Sequence, residues 1–214
     1  MTSLFEPLEL GRFKLENRVT MAALTRQRAG ESGVPTELHQ KYYAQRATAG
    51  LVVTEGTFPA WTNRAFPGQA GIATDEQAEG WRAVADRVHE EGGTLFMQIM
   101  HGGRTSHPDL IDGANPEAPS AFDWGGTVRG FAGKMDAPVP RELKTEELPR
   151  IVDEFRQGAR AGPLMLVSTA WRSTAPTATC CTSSWRRLPI SAKMNSAAAR
   201  KIAGACQRWS SAQW

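Results

Sequence analysis

Three stretches of this 214-residue chain pass within a few positions from apolar to polar: "AALTR" (22–26), "VTEGT" (53–57) and "MQIMHGGR" (97–104). They carry the residues best able to do chemistry. Thr25 offers a hydroxyl and Gln98 a carboxamide, each able to donate and to accept. Gly56 lets a neighbour approach the backbone closely, and His101 and Arg104 bring a titratable ring and a fixed cation. Each has an ordinary reading too. Thr25 suits a turn, Gln98 a polar neighbour, Met100 a core, and His101 a satisfied loop position. No Cys–x–x–Cys or Cys/His spacing suggests a metal site, so none is expected.

Regular elements must hold these residues. The opening "LFEPLELGRFKLENRV" alternates about Gly11 and reads as a hairpin leading into a strand, "RVTMAAL" (18–24). Thr36 is placed to cap a helix "ELHQKYYAQRATAG" that Gly50 would stop. "LVVTEGT" (51–57) reads as a β-branched strand. Asp75 is the expected N-cap of "ATDEQAEGWRAVADRVHEEGG", which Gly92 or Gly93 would end. Its Trp81, Val84, Ala85 and Val88 recur at helical spacing and should face the core. "TLFMQIMH" (94–101) reads as a third strand, followed by a long loop to about Arg141 and a helix capped by Thr145.

Near-continuous apolar strands alternating with amphipathic helices argue for an α/β fold with parallel strands buried on both faces. In a (β/α)8 barrel, chemistry gathers where the strands end. The three apolar-to-polar switches lie at such ends.

Composition divides the chain. All 22 acidic residues precede position 155, and 162–214 carries seven basic residues and none acidic. The net charge of +3 therefore leaves −4 for the part before 162. The tail also holds all three cysteines (Cys180, Cys181, Cys206) and four of the seven tryptophans. The N-terminus shows no signal-like region, and no run approaches a membrane span, so a cytoplasmic domain is expected.

The blocks "LFEPLELGRFKLENRVTMAALTR", "YYAQRATAGLVVTEGT" and "FMQIMHGGRTSHP", in that order, resemble the old yellow enzyme family of FMN-dependent ene-reductases, near the N-ethylmaleimide reductase type. The resemblance covers about residues 3–161 and implies the N-terminal part, about three β/α units, of a (β/α)8 TIM barrel. It implies that Ala23, Leu24 and Thr25 line the flavin, with the Thr25 hydroxyl donating to O4. It implies Gly56 beside the ring, Gln98 on the pyrimidine edge, and Met100, His101 and Arg104 at the rim. NADPH or NADH would be the reductant, and an α,β-unsaturated carbonyl or nitro compound the substrate. The family pattern has Pro where Ala23 stands and often Trp where Met100 stands.

The family's His–x–x–Asn or His–x–x–His pair and proton-donating Tyr should follow "GARAG", yet no histidine occurs after His107. Read one base out of frame, codons for Trp171 to Pro176 can spell Glu-Val-His-Ser-Ala-Asn. Those from Thr177 onward can spell Gly-Tyr-Leu-Leu-His-Glu-Phe-Leu-Ala-Pro. Residues 162–214 are thus expected to be out-of-frame translation and non-native, leaving 1–161 as the domain and little or no activity. Two other readings stay open: a non-catalytic flavin-binding remnant, and a tail whose Trp171, Trp185, Arg186, Arg187, Arg208 and Trp209 grip nucleic acid or lipid. The expectation is a small-molecule partner, with neither nucleic acid nor membrane.

Overall fold

A computed structural model describes residues 3–11 and 13–162. Expectations for the tail beyond Gly162 lie outside the described residues.

The chain opens with the expected hairpin, β1 (Leu8–Leu10) against β2 (Phe13–Leu15). A parallel sheet follows in the order β3 (Thr20–Met21), β4 (Leu51–Thr57), β5 (Leu95–Ile99). Helix α1 (Glu37–Ala44) connects β3 to β4, and α2 (Asp75–Glu90) connects β4 to β5. Helix α3 (Leu148–Ala161) follows β5 after a long excursion. The sheet and its connecting helices are those of the parallel α/β units expected.

Alternation along β5 divides the molecule into two faces. Leu95, Met97 and Ile99 join Trp81, Val84, Ala85 and Val88 of α2, Tyr43 of α1, and Ile151, Phe155 and Ala159 of α3 in the main core. On the opposite face, Phe96 packs with Leu15 and Leu51, and with Phe13 at a ring separation of 5.0 Å. The hairpin therefore covers the end of the sheet where the strands begin. Gln98, two residues past Phe96, shares that second face at the end where the strands finish. Trp81 is fully buried, and its indole N–H donates to the Gly71 carbonyl at 3.0 Å.

Five boundaries differ from expectation. The first strand is only Thr20–Met21, because the chain then leaves the ladder and the Arg26 N–H donates to the Glu55 carboxylate instead (3.0 Å). Helix α1 ends early, at Ala44. Residues to Ala49 tighten into bonds spanning three residues, such as Ala47 N–H to Ala44 O. Gly50 serves close packing rather than helix termination, since a Cβ there would collide with the Asn17 carbonyl. Thr74, not Asp75, caps α2, its Oγ1 accepting from the Gln77 N–H at 3.2 Å. Asp75 sits instead in the first turn, where its charge favours the helix dipole.

Thr145 starts a 3-10 turn (Thr145–Glu147), and α3 proper begins at Leu148, because Pro149 is tolerated only in a first helical turn. Finally, the expected loop to Arg141 contains structure. It holds a short parallel pair, β6 (Glu117–Ala118) with β9 (Arg141–Glu142), and between them a hairpin, β7 (Thr127–Gly130) with β8 (Gly133–Asp136).

Candidate functional site

The ends of β3, β4 and β5 bring the expected residues together. Gly56 and Gln98 are register partners across the β4–β5 ladder, beside an irregularity that falls between Val53 and Gly56. A Cβ at Gly56 would stand 2.8 Å from the Met100 Sδ and 3.3 Å from the Gln98 Oε1. Gly56, Gln98 and Met100 are thus neighbours, and Met100 covers the open side of the glycine. Ala23, Leu24 and Thr25 lie in the irregular segment after β3, with Leu24 57% exposed.

Neither the Thr25 hydroxyl nor the Gln98 carboxamide has a hydrogen-bond partner among the described residues, though both are half-buried. At that depth water can reach both groups, so each is free to exchange it for a ligand's donor or acceptor. A hydroxyl donor and an amide that both donates and accepts suit the carbonyl and N–H edge of a flavin. On this chemistry the residues present fit the group.

The rim residues separate into two kinds. His101 is buried, and its Nδ1 accepts from the Gly103 N–H at 2.9 Å. Burial pushes its pKa down to about 4, against a smaller upward pull from Glu117. It is therefore neutral at physiological pH and braces its own loop. Arg104 is also largely buried, and burial lowers its pKa. Its guanidinium donates to the Phe122 carbonyl and to the Ser120 hydroxyl, each at 3.2 Å, tying the excursion to the end of β5.

Behind the site lies a polar network that sequence reasoning missed. Glu55 and His39 are both fully buried, with Glu55 Oε1 3.1 Å from His39 Nε2. The Thr36 N–H donates to His39 Nδ1 at 3.0 Å, which leaves the ring proton on Nε2, facing the carboxylate. Glu55 Oε2 accepts from the Arg26 N–H, and the Glu55 N–H donates to the Tyr43 hydroxyl at 2.8 Å. Burial first, then the nearby Glu55 charge, raises the Tyr43 pKa well above its ordinary value.

Residue 55 thus anchors the backbone directly after Thr25, while its own chain continues into Gly56. On the other side, buried Gln69 donates from Nε2 to the Gly56 carbonyl at 2.6 Å and accepts from the Ala65 N–H at 2.8 Å. The only sequence signal for Glu55 was an acid inside an otherwise apolar strand. Gln69 and His39 carried none.

Among the described residues, no cluster of three or more His, Cys, Asp or Glu could hold a metal ion, and no helix is long and apolar enough to cross a membrane.

Comparison with known proteins gives a consistent result. The model of the NADH:flavin oxidoreductase / NADH oxidase family matches residues 3–162. Among curated proteins, 12-oxophytodienoate reductase 7 of Oryza sativa subsp. japonica is 40% identical over 163 residues, covering 73% of this chain and 41% of the relative. A Leishmania infantum protein named "Probable flavin mononucleotide-dependent alkene reductase" is 39% identical over 163 residues, covering 73% and 45%. The solved structure of the old yellow enzyme homologue from Zymomonas mobilis superposes with a TM-score of 0.75 at 37% identity, over 78% of this chain and 48% of that one. The chain spans less than half the length of these relatives.

Proposed function

We propose, because this chain belongs to the NADH:flavin oxidoreductase / NADH oxidase family, that it is the N-terminal part of an FMN-dependent ene-reductase. The reaction would be reduction of the C=C bond of an α,β-unsaturated carbonyl or nitro compound by NAD(P)H, in the cytoplasm. The observation that carries this reading is the meeting of Gly56 and Gln98 across β4–β5, with two unspent polar side chains at the same strand ends.

FMN, when bound, supplies two-electron hydride chemistry. The chain's own residues would bind and orient it. Thr25 donates a hydrogen bond to the ring edge that gains negative charge on reduction, which favours the reduced state. Gln98 pairs through its amide with the pyrimidine edge. Ala23 and Leu24 line the ring, and Gly56 brings the end of β4 close to it. Met100 shapes the substrate side, and Arg104 fixes the excursion beside it. Within the described residues no histidine–asparagine pair stands ready to hold a substrate oxygen, since His101 is committed to Gly103.

For residues 162–214 we propose out-of-frame translation. The displaced codons under Trp171 to Pro176 can encode the substrate-holding His and Asn, whose loss would leave the chain as written with little turnover. Loss of the basic residues that hold the FMN phosphate in the family would leave it binding FMN weakly. The test compares the 214-residue protein with one whose reading frame is restored after Gly162. The restored protein should purify yellow with FMN and reduce an enone with NADPH. Colourless, inactive restored protein would defeat the function. Clean reads across the codons for Ala159 to Pro163, with no insertion or deletion relative to close relatives, would defeat the frame shift.

A further inference from the structure

We propose that a cleft beside the flavin site, between the Arg26–Arg28 segment and the start of α1, holds the pyrophosphate of the nicotinamide dinucleotide. The cleft has a volume of about 160 Å³ and is lined by Arg26, Arg28, Leu38, His39 and Tyr42. That is roughly five water volumes, room for a phosphate group with its hydration or ester neighbour.

Its charge is unbalanced. No carboxylate lines the cleft, and neither Arg26, Arg28 nor adjacent Arg46 forms an ion pair among the described residues. Glu55 lies beneath, its Oε2 accepting from the Arg26 N–H and its Oε1 3.1 Å from His39 Nε2. The Arg26 guanidinium has no hydrogen bond among the described residues. It is held only by stacking, 4.3 Å from the centre of the Tyr42 ring, with Arg46 3.8 Å from the same ring. Stacking fixes a guanidinium in place while leaving all five of its N–H donors available. A planar fork held this way suits two phosphate oxygens.

The backbone supports the same assignment. Gln27, between the two arginines, has φ of 54°, a left-handed conformation uncommon for a residue with a side chain. It is held there by its neighbours: the Ala29 N–H donates to the Gly68 carbonyl at 3.0 Å, and Gly68 packs directly on Gln27. Strain that the surroundings enforce is characteristic of ligand clamps. Here it puts Arg26 and Arg28 on one cleft, where Arg28 Nη1 donates back to the Arg26 and Gln27 carbonyls at 3.1 and 3.3 Å and the rest of its guanidinium has no hydrogen bond among the described residues.

Position supplies the ligand class. Arg26 directly follows Thr25, so the cleft adjoins the segment assigned to the flavin. This rests on the flavin-site reading above. The reductant must bring its nicotinamide to that edge, and its pyrophosphate is the charged group that travels with it. FMN itself carries a phosphate, so the two sources must be separated.

The experiment is calorimetric titration of the full 214-residue chain with NADP+, with NAD+ and, separately, with FMN, repeated on Arg26→Gln/Arg28→Gln. The expected result is binding of at least one dinucleotide, weakened about tenfold or more in the double variant, with FMN affinity changed less than about twofold. Arg28→Gln alone, at an exposed position, should reproduce part of the loss, and matching thermal midpoints would confirm an intact fold. Dinucleotide binding that is absent, or unmoved by the double variant, while FMN still binds would overturn this site and leave the flavin reading standing. Weakening of FMN instead would assign the cleft to the flavin's phosphate and also overturn it. A chain that binds neither ligand would count against both readings.

Discussion

Strands β4 and β5 bury ten of their twelve residues, whereas β7 and β8 bury two of eight. The first pair sits between helices and the hairpin, and apolar contact holds it on both faces. The excursion that carries β7 and β8 is fastened differently. At its base, Glu117 meets Arg141 and Arg150, each at 2.5 Å, and Arg141 also reaches Glu147 at 2.7 Å. Near its start, Arg104 ties it to the end of β5. The sheet places Gly56 and Gln98 by packing, the Glu55 carboxylate holds the peptide after Thr25, and the excursion is set beside them by charge. A site assembled from both should lose binding geometry through one and its cover through the other.

Breaking the packed region should have the largest effect. Trp81→Ala removes the largest fully buried side chain among the described residues and its bond to Gly71, and should cost about 3–5 kcal/mol in denaturant unfolding. A cost under about 1 kcal/mol would mean that this core does not carry the fold.

Gly56→Val comes next. Its side chain must displace Met100 and crowd Gln98, for about 1–3 kcal/mol of overpacking. Flavin binding should fall far more than stability does, as read by parallel FMN and denaturant titrations.

The charged base should give a smaller response that depends on pH. Burial works to raise the Glu117 pKa, but hydrogen bonds from Arg150 and Arg141, with their charges, outweigh it and hold the carboxyl below its ordinary value. Glu147 is held down to about 2, first by its bond to Arg141 and then by the Lys144 N–H. Both folded values lie below the unfolded ones. Their stabilisation is therefore complete above the ordinary carboxylate pKa of 4.5 and fades as pH falls from there toward about 2. Hydrogen exchange should show β7 and β8 opening before β4 and β5 over that range. Glu117→Gln should bring the same early opening at neutral pH, costing about 1 kcal/mol or less, because both arginines are about 40% exposed. Uniform opening of both regions would erase the contrast.

What the sequence disclosed follows the same division. Trp81, Val84, Ala85 and Val88 announced their helix face because a buried stripe must repeat at 3.6 residues, and all four are buried. Leu51 to Thr57 announced a strand because both its faces are covered. The β7–β8 hairpin escaped notice, since only Val128 and Gly130 of its eight residues are buried and its fastenings are arginines and glutamates outside it. Ends of elements were least legible. Thr74 and Asp75 are both good caps, and only the Gln77 N–H, which bonds Thr74, decides between them.

Of the candidate site, Gly56, Gln98 and Met100 were legible as residues of the strand ends, and that they touch one another follows from the β4–β5 register. The Glu55–His39 pair was not, because nothing in a strand or a helix alone says that a buried acid and a buried imidazole will meet. That pair bears on the reading of Thr25, since Glu55 holds the peptide that follows it.

The most direct measurement is an FMN titration of the chain followed by the visible flavin spectrum, with Thr25→Val, which keeps the volume but removes the hydroxyl, beside the wild type. The predicted result is weak, saturable binding with a perturbed flavin band, and a different band or lost binding in the variant at unchanged thermal stability. An unperturbed flavin spectrum at saturating protein, or identical spectra for the two chains, would contradict the assignment of Thr25 and its neighbours to the flavin.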